Sequence, residues 1–546
     1  MKITDLIRDE KSIRSCTLWI WLGLVLIIQG CAHATPQIAA LQQQQSTDLK
    51  QRYYQAKTTA PDGTVLTFTV YQPNLTATQT APLIVHTHGF GLARMKHPNL
   101  SLYGFLLPTG QLAKTAWQNG YWVISYDQRG HGDSQGKIRL TDPEKEAQDV
   151  IHILNWAEQN LPQLSHNKNG VRAGMVGESY AGAVQYIASA LDPRLQAIVP
   201  ITTWYDIVHS LAPNGVPKTN WISFLNLIGD WWNWNKFDPA LKQAYQDTQQ
   251  GKLNASSYDF LKTHHVSWFC AKNQAPQADA LIIQGFRDVL FPFNEAVKAA
   301  HCIQNAQHEV HLIGVQGGHL QPFTQHSPLG NTPFWYIGKS VRCGNQQQYN
   351  LQKVVLNWFD RKLKDQATNT AALPELCVDQ SPVTQLKDLQ PISHYTLAKT
   401  QIAPTHKQAV FVPIHTANQA TYFTGAAQLS LKVEAEADTD PTLFISVAVK
   451  SKETGKYRIL NDQTTPFNLN KKVLNNQIVM NTTTVNDQAH QFELPSVHAQ
   501  LHDGDTIGLL IKTESEYYQH LIQPKISAQI SGHIVLPKFW QEAEEK

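Results

Sequence analysis

From residue 51 onward, short apolar runs rich in Val, Ile and Tyr alternate with longer segments whose apolar positions recur at helical spacing. Strands crossed by helices in a mainly parallel sheet produce this pattern. The runs Tyr53 to Thr59 and Thr64 to Tyr71, joined at Asp62-Gly63, predict an antiparallel hairpin at a sheet edge. Further strands are predicted at Pro82 to Thr87, Tyr121 to Tyr126, Val171 to Val176, Leu195 to Ile201, Ala280 to Gln284 and His308 to Val315. Most are almost continuously apolar, as strands buried on both faces are.

The alternation stops between Trp204 and Phe269, where a helical, Trp-rich segment intervenes. It reads as a cap inserted over the C-terminal edge of the sheet. Its tryptophans either pack the cap's own small core or line an apolar pocket, and Trp204, Trp231 and Trp232 are the pocket candidates. A helix at Tyr349 to Leu363 precedes a polar stretch, and beyond that the pattern is strand only, including Ala427 to Glu434, Thr442 to Ser451, Gln488 to Glu493 and Thr506 to Thr513. The expected architecture is an α/β core with an inserted helical cap and a C-terminal all-β jelly roll. Its boundaries are a signal peptide at 1–34, a core at 35–204 and 270–365, a cap at 205–269, a linker at 366–405 and a jelly roll at 406–546.

A chain of 546 residues exceeds what one core supports, in keeping with several units. With 45 basic and 43 acidic side chains the net charge is +2, which provides no footprint for nucleic acid. The N-terminus has scattered charges, then a 13-residue apolar run from Cys16 to Ile28, short for a membrane span and suited to a secretory signal. Ile28-Gln29-Gly30-Cys31 resembles a lipobox with Cys31 as the lipidated residue, while Ala32-His33-Ala34 offers an ordinary cleavage site. Lipidated, soluble and uncleaved products all export the domain, to the cell envelope, the periplasm or beyond. Cys270, Cys302, Cys343 and Cys377 remain, either as free thiols or as two disulfides, and the shortest loops pair Cys270 with Cys302 and Cys343 with Cys377. No C-x-x-C or H-E-x-x-H spacing occurs, so neither a metal nor another cofactor is expected.

The predicted strand ending at Val176 runs into Gly177-Glu178-Ser179-Tyr180-Ala181-Gly182 and then a helical run. Strand, sharp turn and helix form a nucleophile elbow, which presents a serine hydroxyl at the top of a sheet, although Ala181 stands where the usual G-x-S-x-G has glycine. Two later strand ends supply the partners. Asp288 follows Ala280 to Gln284, and His319 follows His308 to Val315 through Gln316-Gly317-Gly318, with His326 as the rival base. In this chain order His319 takes the proton of Ser179 and Asp288 orients the imidazole. The backbone N–H of Tyr180 and that of Phe90 or Gly89, in the loop His88-Gly89-Phe90-Gly91, are the candidate oxyanion donors. Asp127 and Arg129, after the fourth strand, read as structural.

Three motifs in combination, Asp127-x-Arg129-Gly130-x-Gly132-x-Ser134, Gly177-x-Ser179-Tyr180-x-Gly182 and Asp192-Pro193-Arg194-Leu195-Gln196-Ala197-Ile198, resemble the Xaa-Pro dipeptidyl-peptidase and cocaine-esterase-like acyl hydrolases. The resemblance implies a helical cap, a C-terminal jelly roll and a tolerated non-glycine at position 181. Cocaine-esterase-like members supply an oxyanion tyrosine where this chain reads His88-Gly89-Phe90, so a backbone donor is implied here. A dipeptidyl-peptidase also needs a carboxylate for the substrate's free amine, and Asp206 and Asp230 in the cap are candidates. The expected function is that of an exported serine hydrolase acting on a peptide or small acyl substrate. Peptidase of the Xaa-Pro type comes first, an esterase or amide hydrolase second, and an inactive surface-binding protein last.

Overall fold

The apolar runs become the strands of one nine-stranded sheet. The computed structural model describes residues 47–99, 108–233, 236–319, 340–344, 347–366, 373–402, 409–436, 442–468, 471–474, 477–480, 490–518 and 527–541. The side chains of 230–233 lie outside the described set, as do the signal segment and Cys31. The strands are β1 (Arg52–Thr59), β2 (Val65–Gln72), β3 (Leu83–His86), β4 (Trp122–Tyr126), β5 (Ala173–Glu178), β6 (Leu195–Ile201), β7 (Asp279–Gly285), β8 (Val310–Val315) and β9 (Leu376–Val378). Their spatial order is β1-β2-β4-β3-β5-β6-β7-β8-β9. The first two pairings, β1 with β2 and β2 with β4, are antiparallel, and from β4 to β9 every pairing is parallel.

From β2 to β9 the strands' side chains feed two separate cores on opposite faces of the sheet. In β4, Trp122, Ile124 and Tyr126 join one apolar cluster and Val123 the other, and β3 divides in the same way between Leu83 with Val85 and Ile84. The first cluster is covered by α2 (Glu146–Asn160), α3 (Tyr180–Leu191) and α9 (Phe293–Asn305), the second by α1 (Pro108–Gln118) and α10 (Leu351–Leu363). Five α-helices lie between β6 and β7 among the described residues: α4 (Ile207–Leu211), α5 (Thr219–Asn233), α6 (Pro239–Gln249), α7 (Ala255–Leu261) and α8 (Val266–Ala271). A disulfide joins Cys270 in α8 to Cys302 in α9, and a second joins Cys343 to Cys377 in β9, the short-loop pairings.

The expected linker at 366–405 is instead partly built into the sheets. Leu376–Val378 extends the main sheet, with Leu312 paired to Leu376, and Pro391–Ile402 forms a twelve-residue strand against Ser527–Pro537. Three apolar residues are too few to show a period. In the longer strand most side chains are exposed or half-buried, so its composition reads as loop. The predicted strand Val171 to Val176 also divides: Val171 belongs to a two-residue hairpin with His166, and β5 runs on to Glu178.

Among the described residues the C-terminal part is built of strands, with one 3-10 turn at Leu460–Asp462. A four-stranded antiparallel sheet contains Pro391–Ile402, Ser527–Pro537, Gln428–Glu436 and His490–Glu493. A five-stranded one contains Val410–Thr416, Thr506–Lys512 and Thr442–Lys450, with Tyr457–Ile459 and Thr465–Asn468 beside the last. One apolar cluster, with Leu431, Ile445, Leu509 and Ile530 fully buried, draws on strands of both sheets.

Candidate active site

Ser179 caps the N-terminus of α3 with φ 53° and ψ −115°, a conformation costly for any residue with a Cβ and found where surrounding structure enforces it. The enforcement is local. Ser179 N donates to Ile201 O at 2.8 Å, and Thr203 Oγ1 donates to Ser179 O at 2.7 Å, both from the neighbouring strand end. A Cβ placed on Gly177 would lie 2.4 Å from Ala181 Cβ, so strand and helix leave room for a single methyl, and Ala181 takes it. Beneath the elbow, Tyr180 hydroxyl donates to Glu146 at 3.0 Å. Burial pushes the Glu146 carboxyl up to about 8, although Arg139 N–H donates to it. Glu178 is also buried, and burial raises its carboxyl well above the ordinary range.

Asp288 is wholly buried. Its Oδ1 accepts Leu290 N and Phe291 N at 3.1 and 2.9 Å, and its Oδ2 accepts His319 Nδ1 at 2.6 Å. That leaves Nε2 as the free ring nitrogen of His319. It is buried and makes no hydrogen bond, to Ser179 or to any other described residue, and the Phe291 ring stands edge-on to the imidazole at 5.0 Å. The loops carrying Asp288 and His319 cross at van der Waals range, which accounts for Gly285 and Gly318. Arg287 N donates to Gly317 O at 3.0 Å, and a Cβ on Gly318 would lie 2.4 Å from Arg287 O.

Ser179 and Tyr180 open onto a cavity of about 110 Å³ walled by apolar side chains, among them Phe90, Trp204, Leu211, Phe237 and Phe291. Phe90 is held by edge contacts with Tyr180 and His131, on a turn closed by Leu92 N donating to Gly89 O at 3.1 Å. Trp204 is buried against Phe291, while the side chains of Trp231, Trp232 and Asp230, and all of His326, lie outside the described residues. Asp206 caps α4 through His209 N and contacts His265 Nδ1 at 3.0 Å. Burial would raise its carboxyl, but the hydrogen bond and charge of His265 hold it well below the usual range. Asp127 pairs with buried Arg94, and Arg129 forks onto Asp149 with bonds of 2.7 and 2.6 Å, so this loop is a structural brace. Nothing in the sequence marks Arg94, or Lys218 and Gln463, which bond the loop of Asp288; their partners are main-chain carbonyls or lie far along the chain.

Residues 62–321 match the family model described as X-Pro dipeptidyl-peptidase (S15 family). A CocE/NonD family hydrolase from Staphylococcus aureus superposes with a TM-score of 0.64 at 15% identity, over 89% of this chain and 94% of that one. The family match takes in a little under half of the chain, and together with the fold it supports a hydrolase similar to the X-Pro dipeptidyl-peptidase and cocaine-esterase-like proteins. The chain shares its fold with an aminopeptidase from a marine sediment Thaumarchaeota archaeon, at TM-score 0.62 and 13% identity over 94% and 99% of the two chains. It does so also with an α-amino acid ester hydrolase, at 0.57 and 14% over 93% and 100%. At such identities the likeness is one of fold, including the β-sheet part after the core. In sequence the chain is 28% identical over 171 residues to a 31.7 kDa Escherichia coli protein from the traX-finO intergenic region. That match takes in 31% of this chain and spans about half, 53%, of the relative's length.

Proposed function

We propose that Ser179 is the nucleophile of this hydrolase, His319 its general base and Asp288 the acid that orients the base, with the N–H groups of Tyr180 and Phe90 receiving the oxyanion. Ser179 attacks the carbonyl carbon while His319 Nε2 takes its proton. The tetrahedral intermediate collapses as the imidazolium returns that proton to the leaving group, and water then releases the acyl group by the same steps. The observation that carries the reading is a strained elbow serine opening onto an apolar cavity whose rim residue, Phe291, lies against the His319–Asp288 pair.

The cavity fits an apolar, uncharged acyl group. Asp206, the candidate anchor for a substrate amine, is engaged by His265 and by Ser267 Oγ at 3.1 Å. This favours esters and blocked amides, and the family match sustains dipeptides with a free amine as the second reading. Export is part of the same proposal, supported by the two disulfides, with lipid on Cys31 or cleavage after Ala34 as the routes.

A fluorophosphonate should label the wild type and leave Ser179→Ala unlabelled, and that variant should lose on the order of 10⁴-fold or more in kcat. Equal labelling of the two would defeat the assignment. Nitrophenyl hexanoate should outpace Ala-Pro-anilide in kcat/KM, and the opposite order would restore the dipeptidyl-peptidase reading.

A further inference from the structure

The acid loop is fastened from two directions by segments remote in sequence. The chain at Leu460–Asp462, in the all-β part, turns through two consecutive left-handed residues, Asn461 (φ 52°) and Asp462 (φ 60°). Asn and Asp tolerate that conformation better than other side-chain-bearing residues. The turn aims three neighbouring side chains at the catalytic loops. Buried Gln463 Nε2 donates to Phe286 O at 2.8 Å and to Asp288 O at 3.0 Å. Asp462 pairs with Arg287, its Oδ2 accepting from Nε at 3.0 Å and from Nη2 at 2.5 Å. Asn461 Nδ2 donates to Gln316 Oε1 at 3.0 Å, three residues before His319.

From the cap, buried Lys218 Nζ donates to Val289 O at 2.7 Å and Leu290 O at 3.1 Å. The carbonyls of Phe286, Asp288, Val289 and Leu290 are therefore all drawn outward by side chains from elsewhere. A peptide plane has one carbonyl and one N–H on opposite edges. Fixing the Val289 and Leu290 carbonyls outward thus turns the N–H groups of Leu290 and Phe291 inward, where they hold the Asp288 carboxylate.

We infer that Gln463 of the β-sheet part and Lys218 of the cap are positioning residues for this hydrolase, fixing the peptide planes that aim Asp288 at His319. The inference rests on the assignment of Ser179, His319 and Asp288 made above. It gives the C-terminal part a catalytic duty at the base-bearing side of the site, beyond covering the core.

Gln463→Met keeps the side chain's length and removes both donors, and Lys218→Met does the same for the cap. The phosphonate titrates competent sites, so rates per competent site are comparable even if a variant yields less folded protein. Each variant should lose roughly ten- to a hundredfold in kcat and in labelling rate constant, with KM within about twofold of wild type, because misplacing the base slows proton transfer and leaves the acyl cavity intact. A kcat within twofold of wild type in both variants, or a loss confined to KM, would overturn the inference. Ser179→Ala run alongside separates the two claims. If it labels like wild type, the site assignment fails; if it stays unlabelled while both Met variants keep wild-type rates, the fastening alone fails.

Discussion

Ser179 and the Asp288–His319 pair are held by opposite means. The serine is fixed by its own neighbourhood: a strand that ends one residue before it, a helix that starts one residue after, and two bonds from the adjoining strand end at Ile201 and Thr203. The loops of Asp288 and His319 take bonds from Lys218, Asn461, Asp462 and Gln463, which are up to 177 residues away in sequence. A locally determined elbow can form as soon as its strand and helix do. A loop fastened from outside reaches its working shape only when cap, core and β-sheet part have assembled, which ties activity to completion of the whole molecule.

If that contrast is right, damage in the core's own brace near the elbow should appear in stability and damage in the loops should appear in turnover. The largest effect is expected at Arg129, whose side chain forks onto Asp149 with both nearly inaccessible. Arg129→Ala leaves a buried carboxylate without its partner and should cost about 3–5 kcal/mol of unfolding free energy. Urea denaturation measures it. The folded fraction should keep kcat within about threefold, and a large kcat loss at unchanged stability would reverse the contrast.

Gly318→Ala tests the other side. Its Cβ would lie 2.4 Å from Arg287 O, a main-chain atom that cannot swing away, so the base loop must move. A displacement near 1 Å in a catalytic group costs on the order of 100-fold in rate. Steady-state kinetics on the purified variant should show that loss in kcat with a melting temperature close to wild type. Ala181→Gly in the elbow should show the reverse, a fraction to about 1 kcal/mol of helix stability and only a few-fold in kcat.

The two regions also titrate in opposite senses. Glu146 under the elbow is raised by burial from 4.5 to about 8, so the native state holds its proton more tightly than the unfolded chain. Its contribution is full below about 4.5 and is lost as pH rises toward about 8. Lys218 is lowered from 10.5 to about 8, chiefly by burial and against the pull of Asp288 and Glu295. A buried lysine of that kind disfavours its charged form, so its penalty is relieved as pH rises from about 8 toward 10.5. Stability measured against pH should therefore fall across the first window less steeply in Glu146→Gln than in wild type. Across the second it should rise less steeply in Lys218→Met. Parallel curves for wild type and either variant would contradict the corresponding burial effect.

The same division explains what could be read from the sequence. β6 is predicted to the residue, and Ser179, Asp288 and His319 stand out because each follows an apolar run long enough to be recognised as a strand. The glycines at 317 and 318 are visible as a turn, but the reason for Gly318 is a second loop crossing within contact distance, which no local pattern contains. Leu376–Val378 is hidden because three residues carry no period, and Pro391–Ile402 because its exposed face looks like a linker. Lys218 and Gln463 are hidden more deeply: both bond main-chain carbonyls, and a carbonyl is present at every position of the chain.

The smallest expected effect discriminates most finely between fastening by charge and fastening by shape. Asp462 and Arg287 are 14% and 25% exposed at the side chain, so solvent screens part of their attraction and the pair is worth about 1 kcal/mol or less. Asp462→Asn keeps the left-handed turn, since Asn adopts it as readily as Asp, and keeps an oxygen facing the guanidinium. If the turn's shape is what delivers Gln463 to the acid loop, this variant should lose no more than about threefold in kcat and respond little to salt. Asp462→Val removes the left-handed tolerance as well as the charge, because a β-branched residue resists positive φ. It should therefore approach the rate of Gln463→Met. Equal losses in the Asn and Val variants, both relieved at low ionic strength, would instead make the Arg287 ion pair the fastening and Gln463 a bystander to it.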